Sequence, residues 1–399
     1  MAVRRNVHVM GKFQRIILIV CDSMGIGAMP DAAAYGDAGR DTLGHICERR
    51  GLRAPNFVDL GLANIRPLAR LTPAASPAGA FGKATLLSPG KDTTAGHWEM
   101  AGIILDRPFP IYPNGFPREL MERFEGAIGR KTLGNFPASG TEIIRQLGVE
   151  HVKTGQPIVY TSGDSVFQIA AHEDVIPIEE LYRICIIARQ MLDGPHRVGR
   201  VIARPFTGTP GAFVRTERRH DYAVEPPRPM LLDLLKEAGL DVLGVGKIPD
   251  IFLNRGITRP LPGKNNRQAL ESTQAAIHQP TRGLIFTNLV DFDMLYGHRL
   301  DIEGYGRAIE EVDAFIPALR GALKADDLLI ITADHGCDPL GPSTDHSREY
   351  VPILATGPAA HQGVNLGTRG TLADIGATVA ENFGLQLPNG KSFLGDLSS

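Results

Sequence analysis

Unbroken aliphatic runs recur along this chain, and polar groups capable of chemistry follow closely on them. Arg15 to Cys21 is β-branched and aliphatic and stops at Asp22, and Leu284 to Val290 and Leu328 to Thr332 share its texture. A short continuous apolar run predicts a strand covered on both faces, as in a parallel sheet. Between them, Met230 to Ala238 has helical periodicity and stops at Gly239, after which Val242 to Val245 reads as another buried strand. Gly304 to Leu323 and Thr371 to Phe383 add covering helices, the second opening with Thr371 three residues before Asp374 in the manner of a capping box. This alternation predicts an α/β core with a mostly parallel sheet flanked by helices.

From about 107 to 225 the pattern changes to Pro-rich loops and short strands at Ile158–Thr161, Val166–Ala171, Val201–Phe206 and Phe213–Thr216. A helix over Glu179–Leu192 repeats Leu181, Ile184, Cys185, Ala188, Met191 and Leu192 at three- and four-residue steps, a stripe suited to packing on a small sheet. The expected organisation is a core domain in two parts, 1–106 and 226–399, with an inserted smaller α+β domain over 107–225. A length of 399 residues is comfortable for two such domains.

Composition narrows the partner. With 42 basic and 44 acidic residues, and no basic stripe interleaved with aromatics, a nucleic-acid groove has no support and a small molecule is expected. Cysteines 21, 47, 185 and 337 lack CxxC spacing, which argues against a zinc module or a disulfide framework and favours the cytoplasm. The apolar run before Asp22 is too short for a signal segment or a membrane span. No obligatory protein partner is evident.

The polar groups beyond the runs then become candidates. Asp22, Asp293, His298, Asp334, His335 and His346 cluster after three predicted strands, where open α/β sheets place their ligands. One such carboxylate alone reads as a cap or turn, the reading kept for Asp338 and Asp345. Three carboxylates and three imidazoles together predict a two-metal site, and the mixed donor set favours Mn²⁺ or Zn²⁺ over Ca²⁺. Gly90 to Met100 (GKDTTAGHWEM) is a polar segment between turn-forming residues, with two hydroxyls that a metal could activate, Thr93 or Thr94. Trp98 reads as a packing anchor, and His97 as an outer-sphere donor or a structural histidine. Arg200, Arg204 and Arg215 lie on or near predicted strands, Arg200 and Arg204 on one strand face, with Lys247 after Val245; guanidinium forks and a lysine suit phosphate.

Read together, VCDSMGIG, GKDTTAGHWEMAG, ASGTEI, VGRVIARPF, NLVDFDMLYGH, ITADHG and TDHSREYVP resemble, in order and over nearly the full length, segments of the phosphopentomutase family within the alkaline phosphatase superfamily. The resemblance implies an alkaline-phosphatase-like core with an inserted cap, and two Mn²⁺ ions bridged by a threonine that is phosphorylated in the resting enzyme. By motif position Asp22, Asp334 and His335 would hold one ion and Asp293, His298 and His346 the other. The phosphorylated residue, directly after Lys91 and Asp92, would be Thr93. The implied reaction interconverts ribose or deoxyribose 1-phosphate and 5-phosphate through a 1,5-bisphosphate. A sugar bisphosphate such as ribose 1,5-bisphosphate or glucose 1,6-bisphosphate would prime it. Arg200, Arg204, Arg215 and Lys247 would bind substrate, the cap cations taking the phosphate that is not in transfer, and Asp164 would meet a sugar hydroxyl or simply form a turn. The alternatives are a phosphoglycerate mutase-like phosphomutase, which uses a serine, and a metal-dependent phosphatase.

Overall fold

The computed structural model describes residues 11–162 and 165–398. In chain order its strands are β1 (Arg15–Cys21), β2 (Ala80–Ala84), β3 (Leu133–Pro137), β4 (Ile158–Thr161), β5 (Val166–His172), β6 (Arg200–Thr207), β7 (Val214–Arg215), β8 (His220–Ala223), β9 (Asp241–Val245), β10 (Arg259–Leu261), β11 (Gly283–Leu289), β12 (Asp327–Thr332), β13 (Val351–Thr356) and β14 (Asn365–Arg369). Two compact units result: residues through Arg107 together with those from Pro226 onward, and Pro108–Glu225. No helix among the described residues is long and apolar enough to cross a membrane.

The first unit is an α/β layer structure whose sheet runs in the order β10-β9-β11-β1-β12-β13-β2-β14. From β10 to β12 all neighbours are parallel, while β13 runs antiparallel to both β12 and β2. Every residue of β1, β11, β12 and β13 is buried, which is why their sequences read as unbroken apolar runs rather than alternating ones. Helices Asn266–Ile277 and Ile302–Ala322 start where Asn265 and Asp301 accept the amides of Gln268 and Gly304, satisfying donors that the first helical turn leaves unpaired. Register aligns Val20 with Asn288 and with Thr332, so the carboxyl ends of β11, β1 and β12 lie side by side.

The second unit is built on the sheet β3-β4-β5-β6-β7, with β8 also pairing on β6. Helices Arg118–Ile128 and Ile178–Met191 bury an apolar cluster with Phe167, Ile169, Val201 and Ala203 of β5 and β6. Helix Gly140–Thr154 packs Ile143 and Ile144 into a second cluster with Ile158, Tyr160, Ala170 and Phe206.

Three local expectations change. The polar segment Gly90 to Met100, for which no element was expected, carries a helix over Thr93–Met100. It lacks an amphipathic period because it is buried nearly all round, and it starts because Asp92 caps the Ala95 amide at 3.0 Å. Thr371 does not form a capping box with Asp374: the helix spans Ala373–Asn382, Thr371 donates to Glu99, and Asp374 accepts from Arg369 and the Lys391 amide. The strand expected over 213–216 shrinks to Val214–Arg215, and β8, whose His-Asp-Tyr-Ala sequence has no strand period, forms because β6 offers it an edge.

Candidate metal centre

Three adjacent strand ends deliver the carboxylates. Asp22 directly follows β1 and its amide donates to Leu289 of β11 at 3.2 Å. Ser23 then turns back with φ 72°, a conformation that costs a non-glycine residue about 1–3 kcal/mol, and this aims its amide at Asp334 Oδ1 at 3.0 Å. Asp334 and His335 lie just beyond β12, and Asp293 sits in the irregular helical turn Phe292–Tyr296 that follows β11. His298 belongs to the next turn, Gly297–Arg299, and its Nδ1–H donates to the Thr344 carbonyl at 2.6 Å.

Asp22, Asp334 and His335 bring one ligand atom each within 4.8 Å of one another, and Asp293, His335 and His346 do the same. His335 Nε2 lies 3.5 Å from Asp22 Oδ1 and 3.3 Å from Asp334 Oδ2. His298 Nε2 lies 3.2 Å from Asp293 Oδ2, His346 Nε2 lies 3.2 Å from Asp293 Oδ1, and the two imidazole nitrogens are 3.1 Å apart. Thus all six predicted ligands gather at one place. His335 and His298 each commit Nδ1 to a backbone carbonyl, which turns Nε2 toward the carboxylates, the arrangement of a metal-binding histidine.

Thr93 begins its helix beside this cluster. Its hydroxyl is 3.2 Å from His335 Nε2 and almost wholly buried. The helix can approach so closely because residue 96 is glycine: a Cβ there would stand 2.5 Å from the Asp334 carbonyl oxygen. His97, one turn on, points Nδ1 at the Thr93 carbonyl (2.9 Å) and at Asp334 Oδ2 (3.2 Å).

The electrostatics are those of a site built for cations. Among the described residues, the buried Asp22 Oδ1, Asp293 Oδ1 and Asp334 Oδ2 have no well-aligned donor and only imidazole nitrogens at 3.2 to 3.5 Å, a costly state for a carboxylate oxygen. Burial and the neighbouring Asp334 and Asp293 carboxylates push Asp22 up to about 7, with Lys247 close enough to oppose the shift. Burial works the same way on Asp334 and Asp293, but imidazoles prevail: His335 and His97 bring Asp334 down to about 2, and His346 and His298 hold Asp293 well below the usual carboxylate range. Carboxylate oxygens and imidazole nitrogens converging in one place fit divalent cations with mixed O/N preference.

The remaining candidates lie elsewhere. Lys247 precedes the short helix Ile248–Ile251 of the first unit. In the second unit Arg204 donates to Gln168 at 3.1 Å and lines a cleft with Arg215, whereas Arg200 stands 3.6 Å from Asp221. Asp164 lies outside the described residues.

Several residues around the centre had no sequence signal. Asn288, inside the apolar run of β11, donates to Asp22 Oδ2 at 2.9 Å. Cys337 groups with Asp293 and His298, though it belongs to no cysteine motif. Glu349, fully buried, accepts from the amides of Gly27 and Thr42 and from the hydroxyls of Thr42 and Ser347, tying together the loops that follow Asp22 and His346. Arg348 donates to the carbonyls of Leu86, Ser88 and Gly90 and fixes the approach to Thr93.

Residues 14–387 match the metalloenzyme superfamily. The chain is 57% identical over 385 residues to the phosphopentomutase of Caldanaerobacter subterraneus subsp. tengcongensis, covering 96% of this chain and 98% of that one. It is 58% identical to the phosphopentomutase of Desulfitobacterium hafniense, over 96% and 100% of the two chains, and to that of Carboxydothermus hydrogenoformans, over 96% and 99%. Among solved structures, phosphoglycerate mutase of Leishmania mexicana aligns over 94% of this chain and 96% of that one, at 14% identity and a TM-score of 0.49.

Proposed function

This chain belongs to the phosphopentomutase family of the metalloenzyme superfamily and is an isomerase that moves a phosphoryl group within its substrate; from that premise we propose that it interconverts ribose or deoxyribose 1-phosphate and 5-phosphate through a phosphothreonine at Thr93. The observation that carries the reading is the pairing of a buried hydroxyl with an uncompensated ligand cluster: Thr93 Oγ1 lies 3.2 Å from His335 Nε2, beside carboxylate oxygens without partners.

Asp22, Asp334 and His335 would hold one divalent ion, and Asp293, His298 and His346 a second, with Mn²⁺ the proposed metal. When bound, such ions neutralise the oxygens of a phosphoryl group in flight and make a threonine hydroxyl a competent nucleophile. The protein's own contribution is placement. Thr93 stands at the positive end of its helix, where the partial charge of the backbone dipole favours a phosphate. Phosphorylated Thr93 gives its phosphoryl group to the free hydroxyl of a pentose monophosphate: the Oγ1–P bond breaks, the sugar O–P bond forms, and the proton lost by the sugar hydroxyl is matched by one gained at Oγ1. The 1,5-bisphosphate then returns its other phosphoryl group to Thr93 by the reverse exchange. Priming by a sugar bisphosphate such as ribose 1,5-bisphosphate or glucose 1,6-bisphosphate supplies the first phosphothreonine. Arg200, Arg204 and Arg215 would supply positive charge for the phosphate not in transfer, Lys247 would bind substrate, and Asp164 would contact the sugar.

The test is turnover of ribose 1-phosphate by Mn²⁺-loaded protein primed with a trace of glucose 1,6-bisphosphate. Ribose 5-phosphate should accumulate without free phosphate. Stoichiometric free phosphate would make the protein a hydrolase instead.

A further inference from the structure

Cys337 belongs to neither ion set named above, yet among the described residues its sulfur is the one cysteine sulfur that meets a carboxylate and an imidazole at ligand spacing. Cys337, Asp293 and His298 bring one ligand atom each within 4.8 Å of one another. Bonds of about 2.0 to 2.3 Å place the ligands of a single zinc ion within roughly 4.6 Å of each other, so a small side-chain rotation closes this set around an ion.

The sulfur is held at that point by its surroundings. The Cys337 amide donates to Thr42 Oγ1 at 3.2 Å, and the adjacent Gly336 exchanges amide-to-carbonyl bonds of 3.1 and 2.7 Å with Ser347. The turn that carries His298 can lie against the thiol because it opens with glycine: a Cβ at Gly297 would stand 2.8 Å from Cys337 Sγ. The thiol donates to the Asp345 carbonyl at 3.7 Å, a weak bond that is given up at little cost.

Asp293 joins two different donor sets. Its Oδ2 faces His298 Nε2 and its Oδ1 faces His346 Nε2, each at 3.2 Å. With His335 and His346 it forms a group of oxygen and nitrogen alone; with His298 and Cys337 it forms a group that contains sulfur. Its side chain is nearly buried and Oδ1 has no well-aligned donor, a state that a cation relieves. Hard ions such as Mn²⁺ take the oxygen and nitrogen donors, whereas thiophilic ions seek the sulfur.

We propose that Cys337 makes the second ion position selective among metals: a thiophilic divalent cation such as Zn²⁺ or Cd²⁺ binds through Asp293, His298 and the Cys337 thiolate and displaces the Mn²⁺ that Asp293 and His298 otherwise hold. The inference rests on the two-ion reading of the centre and deepens it. As the metal–sulfur bond forms, the thiol S–H bond breaks and its proton passes to solvent, with no change of oxidation state. His298, partly exposed, lies on the way in.

Full-length Mn²⁺-loaded protein is titrated with Cd²⁺, following thiolate-to-cadmium charge transfer in the ultraviolet and released Mn²⁺ by electron paramagnetic resonance. In the wild type the band should grow in step with release of one of the two bound Mn²⁺ ions. Cys337→Ser should lose the band, and the Cd²⁺ concentration that releases Mn²⁺ should rise roughly tenfold or more, because the soft donor is gone. Its Mn²⁺ affinity should stay within about twofold of wild type, since the hard ion does not use the sulfur; this separates a lost ligand from a damaged fold. A band that survives in Cys337→Ser belongs to another cysteine and overturns the assignment, as does release of Mn²⁺ at the same Cd²⁺ concentration from both proteins. Equal loss of Mn²⁺ and Cd²⁺ affinity in the variant overturns the selectivity, and a band without Mn²⁺ release overturns the sharing of Asp293 and His298. Wild-type protein that binds Mn²⁺ but gives no band with Cd²⁺ overturns the role of Cys337 and leaves the two-ion reading standing. Wild-type protein that binds no Mn²⁺ overturns that reading and the displacement with it.

Discussion

The centre at the ends of β1, β11 and β12 and the cleft at the start of helix Gly140–Thr154 are opposites in charge and in construction. In the first, buried carboxylate oxygens converge with imidazole nitrogens and little else faces them. In the second, the guanidinium groups of Arg204, Arg215 and Arg219 lie around the unpartnered hydroxyl of Tyr160 and a helix amino end. An excess of acceptors calls for cations, and an excess of donors calls for an anion.

The contrast can be broken most severely at the centre. Asp334→Asn removes a charged ligand while keeping shape; metal content measured on the dialysed protein should fall, and turnover should drop by a factor on the order of a thousand or more. Thr93→Ala should lose turnover to a similar degree yet keep its full metal complement, because the hydroxyl is the reacting group and not the anchor. Full activity in that variant contradicts the assignment of the nucleophile. Gly96→Ala is subtler. Its Cβ would meet the Asp334 carbonyl at 2.5 Å and push the Thr93 helix away, so kcat should fall by roughly a hundredfold at unchanged metal content.

The smallest effect concerns Glu349, whose pKa burial pushes up to about 7 despite four donors. A carboxyl group with a raised folded-state pKa binds its proton more tightly when folded. It therefore stabilises fully below its unfolded value, and that stability is lost as pH rises toward 7. Glu349→Gln should remove this slope, so denaturant melts of the two proteins compared between about pH 4.5 and 7 should differ in pH dependence by on the order of 3 kcal/mol. Parallel curves would show that Glu349 does not titrate there.

The same contrast explains what could be read from the sequence. Strands buried on both faces announce themselves as apolar runs, and a ligand placed just beyond such a run is located along with it; Asp22 and Asp334 are of this kind. Thr93 had its chemistry visible but not its setting, because a helix buried all round has no amphipathic stripe. Glu349 and Asn288 lie within quoted segments but gave no sign of their roles, which come from hydrogen bonds to Gly27, Thr42 and Asp22, hundreds of positions away. The cleft was harder still. Tyr160 reads as one residue of a buried strand, and only the fold brings Gly140 and Arg215 against it. Charged surface arginines are common, so Arg204 and Arg215 acquire meaning only when the absence of a carboxylate bonded to them among the described residues is seen in place.

The central claim is that Thr93 carries the phosphoryl group, and peptide mass spectrometry of the Mn²⁺-loaded protein tests it directly. After incubation with glucose 1,6-bisphosphate, one phosphoryl group should be found on Thr93, with none on Thr94, and it should be lost on adding ribose 5-phosphate as the bisphosphate appears. Rapid interconversion of the pentose phosphates by protein whose Thr93 never becomes phosphorylated would contradict the account.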